Sequence, residues 1–191
     1  MIEILLLLPF AYLLGSVNFA LVLLKALDLP DPRGRFSGNA GTTNVYRQAG
    51  WLWAAVVLLL EMGRAGAIAT LALWLLPPQE VCWVGLALIL ANRFPFCHGF
   101  KGGKGVAAYL GFTAIISPLS AGLSALSWVG LFAVVRIPFV ASFLMISVLA
   151  GGNLIWANWQ PSALIATLLT LAVIVLSHRS NLVKFKRDRS R

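Results

Sequence analysis

Residues 81–117 read VCWVGLALILANRFPFCHGFKGGKGVAAYLGFTAIIS. An apolar run meets a short basic, glycine-rich break, and a second apolar run follows. The rest of the chain repeats this plan. Apolar spans are expected near 2–25, 51–76, 81–98, 105–117, 119–135, 138–156 and 161–177. The chain is 60% hydrophobic and 11% charged, with a mean hydropathy of +0.88. An ordinary soluble domain has about 25% charged residues. A soluble core cannot bury this much apolar surface, whereas a bilayer can. The fold class is therefore all-α: one polytopic membrane domain over residues 1–191, expected to be a bundle of seven transmembrane helices.

The breaks set the orientation. The connection 26–50 holds Arg33, Arg35 and Arg47, with Lys25 at its edge. The break around 92–104 holds Arg93, Lys101 and Lys104, and the fifth break holds Arg136. The tail holds Arg179, Lys184, Lys186, Arg187, Arg189 and Arg191. Between them, Pro77-Pro78-Gln79-Glu80, Ser117-Pro118 and the break 157–160 carry no Lys or Arg. Basic loops stay on the cytoplasmic side. The alternation predicts an odd number of crossings, N-terminus out and C-terminus in. Trp74, Trp83, Trp156 and Trp159 fall at outer boundaries and Trp51 and Trp53 at an inner one, as an interfacial aromatic belt requires. Trp128 falls mid-span and is expected to pack. Glu3 precedes the run Ile4–Phe10 with no Lys or Arg ahead of it, which reads as a retained first span rather than a cleaved signal. Several spans fall short of the ~20 residues of a straight crossing. Short or broken helices are tolerated where protein shields them or a polar cavity adjoins them.

A net charge of +9 would suggest nucleic acid in a soluble protein. Here the charges flank membrane spans, so they point to anionic partners and membrane lipid and not to nucleic acid. Cys82 and Cys97 would lie roughly 22 Å apart along one helix. They can neither bridge each other nor supply metal-ligand spacing. No metal cluster or cofactor motif is readable, and none is expected.

Four constellations carry chemistry. Ser37-Gly38-Asn39-Ala40-Gly41-Thr42-Thr43-Asn44, followed by Arg47, offers hydroxyls, amides and flexible glycines at a membrane surface. Such residues can cap a helix and hold an anion; Ser37, Asn39, Gly41, Thr43, Asn44 and Arg47 are candidates. Lys101-Gly102-Gly103-Lys104-Gly105, leading into an apolar helix, predicts an anion-binding nest of backbone N–H groups backed by a helix dipole. It is not a nucleotide P-loop, which would need Gly at His98 and Ser or Thr at Gly105. His178-Arg179-Ser180-Asn181 ends the last span; His178 and Asn181 share a helix face at i, i+3. Glu61 and Arg64, also at i, i+3, form a candidate ion pair inside the second span. Intramembrane charges usually face protein or a water-filled cavity.

In this order, the constellations resemble the bacterial acyl-phosphate:glycerol-3-phosphate acyltransferases, the PlsY family. The run Ser37–Asn44 with Arg47, the segment from Phe94-Pro95 through Phe100 to Ala107, and His178–Asn181 look like the three family motifs, and Gly15-Ser16 also fits. Ala91-Asn92 replaces the usual Gly-His, Glu61 and Arg64 stand for Asp and Lys, and Phe36 stands for Gly. A basic tail replaces the usual Gly-x-Glu, so the chain reads as a divergent member. The resemblance implies transfer of a fatty acyl group from acyl phosphate to the 1-hydroxyl of glycerol 3-phosphate. That reaction releases phosphate and yields 1-acyl-glycerol 3-phosphate for phospholipid synthesis. The site is expected at the cytoplasmic face of the inner membrane. Ser37, Arg47, Lys104, His178 and Asn181 are its expected catalytic residues. Asn39, Gly41, Thr43, Asn44, Lys101, Gly102, Gly103 and Gly105 are expected to hold phosphate. The residues alone also allow an anion transporter, which the Glu61–Arg64 pair favours and the lack of an inverted repeat opposes. A non-catalytic scaffold is the other alternative.

Overall fold

The structure, a computed structural model, describes residues 2–189. Arg191 lies outside the described residues, and so does the side chain of Arg189. The described residues form nine α-helices: α1 (Ile2–Gly15), α2 (Phe19–Ala26), α3 (Thr42–Leu75), α4 (Pro78–Arg93), α5 (Val106–Ile116), α6 (Pro118–Val135), α7 (Pro138–Trp156), α8 (Pro161–Ser177) and α9 (Arg179–Arg189). Among these residues, five segments are long and apolar enough to cross a bilayer: 2–26, 42–75, 78–98, 118–135 and 138–156. A sixth, Pro161–Ser177, qualifies together with the helix after it, from which it is bent by 46°. Helix α5 is apolar but shorter.

Local chemistry explains most boundaries. Helices α4, α6, α7 and α8 each open on a proline, whose missing N–H is of no consequence in a first turn. The expected span 2–25 is broken between Gly15 and Phe19, where Asn18 caps α2 by accepting from the Leu21 N–H. The expected span 51–76 begins nine residues early. Its first turns, from Thr42, are set off by Gly50 at φ 86° and ψ 179°, a backbone geometry that glycine alone adopts readily.

Helix α5 is the hub and packs on α3, α4, α6 and α7. It is roughly 16 Å long, shorter than the ~30 Å of hydrocarbon that a fully lipid-facing crossing spans. Ala108, Tyr109, Leu110, Gly111, Phe112 and Thr113 are all buried, so protein and not lipid surrounds its middle turns. A Cβ on Gly111 would collide with the backbone of Met62, so this glycine sets the α3–α5 approach. Large apolar side chains also line the outside: Trp74, Leu119 and Val134 are among the most exposed. Surfaces of this kind suit a lipid surround.

Candidate active site

The first-span break lies against the intramembrane charges. Arg64 donates to the Val17 carbonyl and to Glu61. The Glu61 carboxylate accepts from the Phe19 N–H at 3.1 Å and from Asn92 Nδ2 at 3.2 Å. The Asn18 N–H points at His98 Nε2 (3.4 Å), and Asn18 Nδ2 donates to the Ala40 carbonyl at 3.1 Å. Glu61 and Arg64 thus satisfy backbone groups that the break frees, which an unbroken helix would have paired itself. Glu61 also borders the cavity described below.

The loop before α3 is tied by Asn44. Its Nδ2 donates to the Asn39 carbonyl at 2.9 Å, while its Oδ1 accepts from Ser37 Oγ (3.1 Å) and Arg47 (3.2 Å). Asn44 is 1% exposed and does not line the cavity. It shapes the loop that presents Ser37, Asn39, Gly41, Thr43 and Arg47, all of which do line it. Helix α3 starts on Gly41 without a side-chain cap, so none of the hydroxyls of this loop is used as one. Arg33 adds a brace that the sequence did not announce. Held by Asp31, it donates to the carbonyls of His98 (2.8 Å) and Lys101 (3.1 Å), joining the first loop to the second.

The glycine turn differs from the nest that the sequence predicts. The N–H groups of Gly102 and Gly103 donate to the carbonyls of Arg93 (3.1 Å) and Asn92 (2.9 Å), closing the end of α4. Gly102 is buried and Lys101 is exposed; neither reaches the cavity. Gly103, Lys104 and Gly105 do. A Cβ on Gly103 would stand 2.8 Å from both the Ala40 carbonyl and Asn92 Oδ1, so the two loops meet backbone to backbone there. Gly105, at φ 82°, caps α5 with no side-chain hydrogen bond. Gly105, Val106, Ala107 and Ala108 all border the cavity, so the first turn of α5 opens onto it. The anion-attracting element is therefore a helix N-terminus beside Lys104, not a nest over 101–105.

Lys104 has no carboxylate partner among the described residues. Burial first, then the charges of Arg93 and Arg47, pushes its ammonium down to about 8. His178, at the bend after α8, is 2% exposed. Its Nδ1 lies 2.9 Å from the Ile174 carbonyl oxygen. A carbonyl only accepts, so Nδ1 carries the proton and Nε2 is bare in the neutral ring. Burial first, then Lys104, pushes His178 down to about 4, so it is neutral at pH 7.

One cavity of about 1060 Å³ collects these groups. Its polar side holds Ser37, Asn39, Gly41, Thr43, Arg47, Glu61, Asn92, Lys104, His178 and Asn181. Its apolar side runs between α5, α6 and α7, past Leu110, Val129, Phe139 and Met145. Trp128, expected to be mere packing, lines this side; it stacks on Phe132 and donates to Ser142 Oγ at 3.2 Å. Three segments distant in sequence thus converge on one space, charged at one side and hydrocarbon-like at the other. Among the described residues, no three His, Cys, Asp or Glu side chains cluster as metal ligands.

A family model described as Glycerol-3-phosphate acyltransferase matches residues 5–188. The chain belongs to that family. It is 41% identical over 175 residues to the glycerol-3-phosphate acyltransferase of Methylobacillus flagellatus, covering 91% of this chain and 89% of that one. It is 38% identical over 173 residues to that of Pseudomonas aeruginosa strain LESB58, covering 90% of each. Among solved structures it resembles PlsY (YgiH), an integral membrane glycerol 3-phosphate acyltransferase, in its glycerol 3-phosphate form. The TM-score is 0.88 at 34% identity, with 97% of this chain and 93% of that chain covered. The lysophosphatidic acid form of the same protein gives a TM-score of 0.86.

Against this family frame, Asn18, Arg33 and Asn92 are the positions that residue-level reading undervalued. Each acts through a contact more than twenty residues away, to Ala40, His98 or Glu61. The polarity of Asn18 and Asn92 within apolar spans offered a signal.

Proposed function

We propose that this chain transfers a fatty acyl group from acyl phosphate to the 1-hydroxyl of glycerol 3-phosphate. The products are 1-acyl-glycerol 3-phosphate and phosphate, at the cytoplasmic face of the cell membrane, as an early step of phospholipid synthesis. In this reading residues 1–191 form one integral-membrane unit with seven crossings, N-terminus out: α1 with α2, then α3 to α8. The supporting observation is the two-sided cavity, since one substrate is a phosphate and the other is a phosphate on a hydrocarbon chain. The acyl tail lies along α5, α6 and α7 toward Trp128. Its phosphate sits at the first turn of α5 beside Lys104. Arg47 and the Ser37–Thr43 loop hold the phosphate of the acceptor, with Asn181 on the facing wall.

The reaction needs little activation, because the acyl phosphate is already a mixed anhydride. The C1 hydroxyl oxygen attacks the acyl carbon, the bond between that carbon and the bridging phosphate oxygen breaks, and phosphate departs with that oxygen. The hydroxyl proton passes to an oxygen of the departing phosphate. His178, held neutral with Nε2 bare, accepts the hydroxyl hydrogen bond and orients the attack. The main task is to hold two anions together. Lys104, Arg47 and the α5 N-terminus offset their repulsion and stabilise the oxyanion. Anion transport finds less support, since Glu61 and Arg64 are engaged with the helix break. The test is a labelled glycerol 3-phosphate acceptor assay with pure protein in detergent. The expected result is labelled 1-acyl-glycerol 3-phosphate formed in step with phosphate release; no labelled lipid product would overturn the reading.

A further inference from the structure

A second cleft, of about 660 Å³, opens between the end of α4 and the α8–α9 bend. It is lined by Arg93, Arg179, Lys184 and Arg187, with Leu176 and Val183 beside them. Among the described residues no acidic side chain lines it. Leu176 is 69% exposed and Val183 61%, so a hydrocarbon-facing edge adjoins the cations. The cleft is thus amphiphilic. A free anion satisfies only its charged part, whereas an anionic lipid satisfies both. Helix α9 itself is basic and leaves Leu182 and Val183 exposed, the composition of a helix lying in the interface of an anionic leaflet.

The cleft also shares lining residues with the larger cavity. Ser180 and Lys184 border both, while Asn181 and Phe185 line the larger cavity alone. Phe185 meets Phe139 edge-on at 5.6 Å between ring centroids. Helix α9 is therefore a shared wall, and it leaves α8 at 46°.

We propose that this cleft seats the phosphate headgroup of an anionic membrane phospholipid, with its acyl chains along Leu176 and Val183. The bound lipid holds α9 in place as the wall of the neighbouring cavity. The site is a lipid-binding site separate from the one described above, and its occupancy does not depend on the proposed reaction.

Native mass spectrometry of the full chain, released from micelles doped with phosphatidylglycerol or phosphatidylcholine, tests this directly. The expected result is retained phosphatidylglycerol adducts and at least about tenfold fewer of phosphatidylcholine. Arg93→Gln with Arg179→Gln should lower phosphatidylglycerol retention by about tenfold or more. Arg93→Lys with Arg179→Lys, which keeps the charge, should retain most of it. If the Gln variant fails to fold, the Lys variant and the comparison of the two lipids in the wild-type chain still decide. Equal retention of both lipids, or unchanged retention in a folded Gln variant, overturns the proposal. So does loss of the adducts to equimolar inorganic phosphate, which would make the cleft a free-phosphate site. Because binding is read without turnover, failure here is distinguishable from failure of the acyltransferase reading.

Discussion

Glu61 and Lys104 both border the same cavity, yet their surroundings are opposite. Glu61 is matched on each oxygen: Arg64 and Asn92 on one, the Phe19 N–H on the other. Among the described residues Lys104 is matched by nothing of opposite sign; the charges acting on it are Arg93 and Arg47, both cations. A buried charge with a full set of partners is architecture, because removing it orphans those partners. A half-buried charge among like charges is unstable in isolation and is relieved by a bound anion or by loss of its proton. Sequence alone marks both residues as charges within or beside apolar spans. Their partners separate them.

The sharpest way to break this comparison is to remove Glu61. Glu61→Ala leaves Arg64 buried without its counter-ion and the Phe19 N–H without an acceptor. The expected loss is about 3–5 kcal/mol of stability, read as a lowered thermal midpoint in detergent. A stability loss no larger than that of an ordinary surface substitution would remove Glu61 from the architecture. Lys104→Ala is the converse. Acyl transfer is expected to fall about 10²- to 10³-fold, as when one preorganised oxyanion donor is lost, while the thermal midpoint holds or rises. Near-normal turnover would disprove the assignment.

Smaller effects sharpen the picture. His178→Ala is expected to cost about 10- to 100-fold in kcat, below the upper range for a true general base, and to leave the pH profile unshifted. A loss approaching 10⁴-fold, with a vanished acidic limb, would make His178 the proton acceptor instead. The mildest effect is on pH. Lys104 titrates at about 8 in the folded protein, below its ordinary value of 10.5. Between these values the unfolded chain holds the extra proton, so stability of the ligand-free protein rises with pH across that window. Affinity for phosphate moves the other way and weakens as pH passes 8, because the neutral amine no longer attracts an anion. A KM for acyl phosphate that stays flat from pH 7 to 9 would contradict this.

Much of this was legible in the chain. Apolar runs and proline starts gave the last three spans to within a residue, since Pro118, Pro138 and Pro161 fix where helices can begin. The kink at Gly50 and the break at 16–18 were not legible. The break depends on partners elsewhere in the fold, Ala40, Glu61 and Arg64, and a glycine or serine in an apolar run is compatible with an unbroken helix. The convergence of Ser37, Arg47, Lys104, His178 and Asn181 on one cavity follows the motif reading. The division of labour inside each motif does not. Asn44, Lys101 and Gly102 have the composition of ligand-binding residues, yet their polar groups face inward to the fold or outward to solvent. Composition says which atoms can bind an anion; only the hydrogen-bond partners say which are already engaged. Trp128 was hidden for a related reason, because a mid-span aromatic looks the same whether it faces a neighbouring helix or an empty slot.

The unmatched charge at Lys104 is the claim on which the site stands, and its titration tests that claim most directly. The lysine amines can be labelled by reductive ¹³C-methylation, with Lys104→Arg identifying the signal, and followed by NMR in detergent with and without millimolar inorganic phosphate. Without phosphate the Lys104 signal should titrate near 8, and phosphate should move the midpoint upward because an anion beside an ammonium favours its charged form. A midpoint at the ordinary lysine value, or one indifferent to phosphate, would contradict the account.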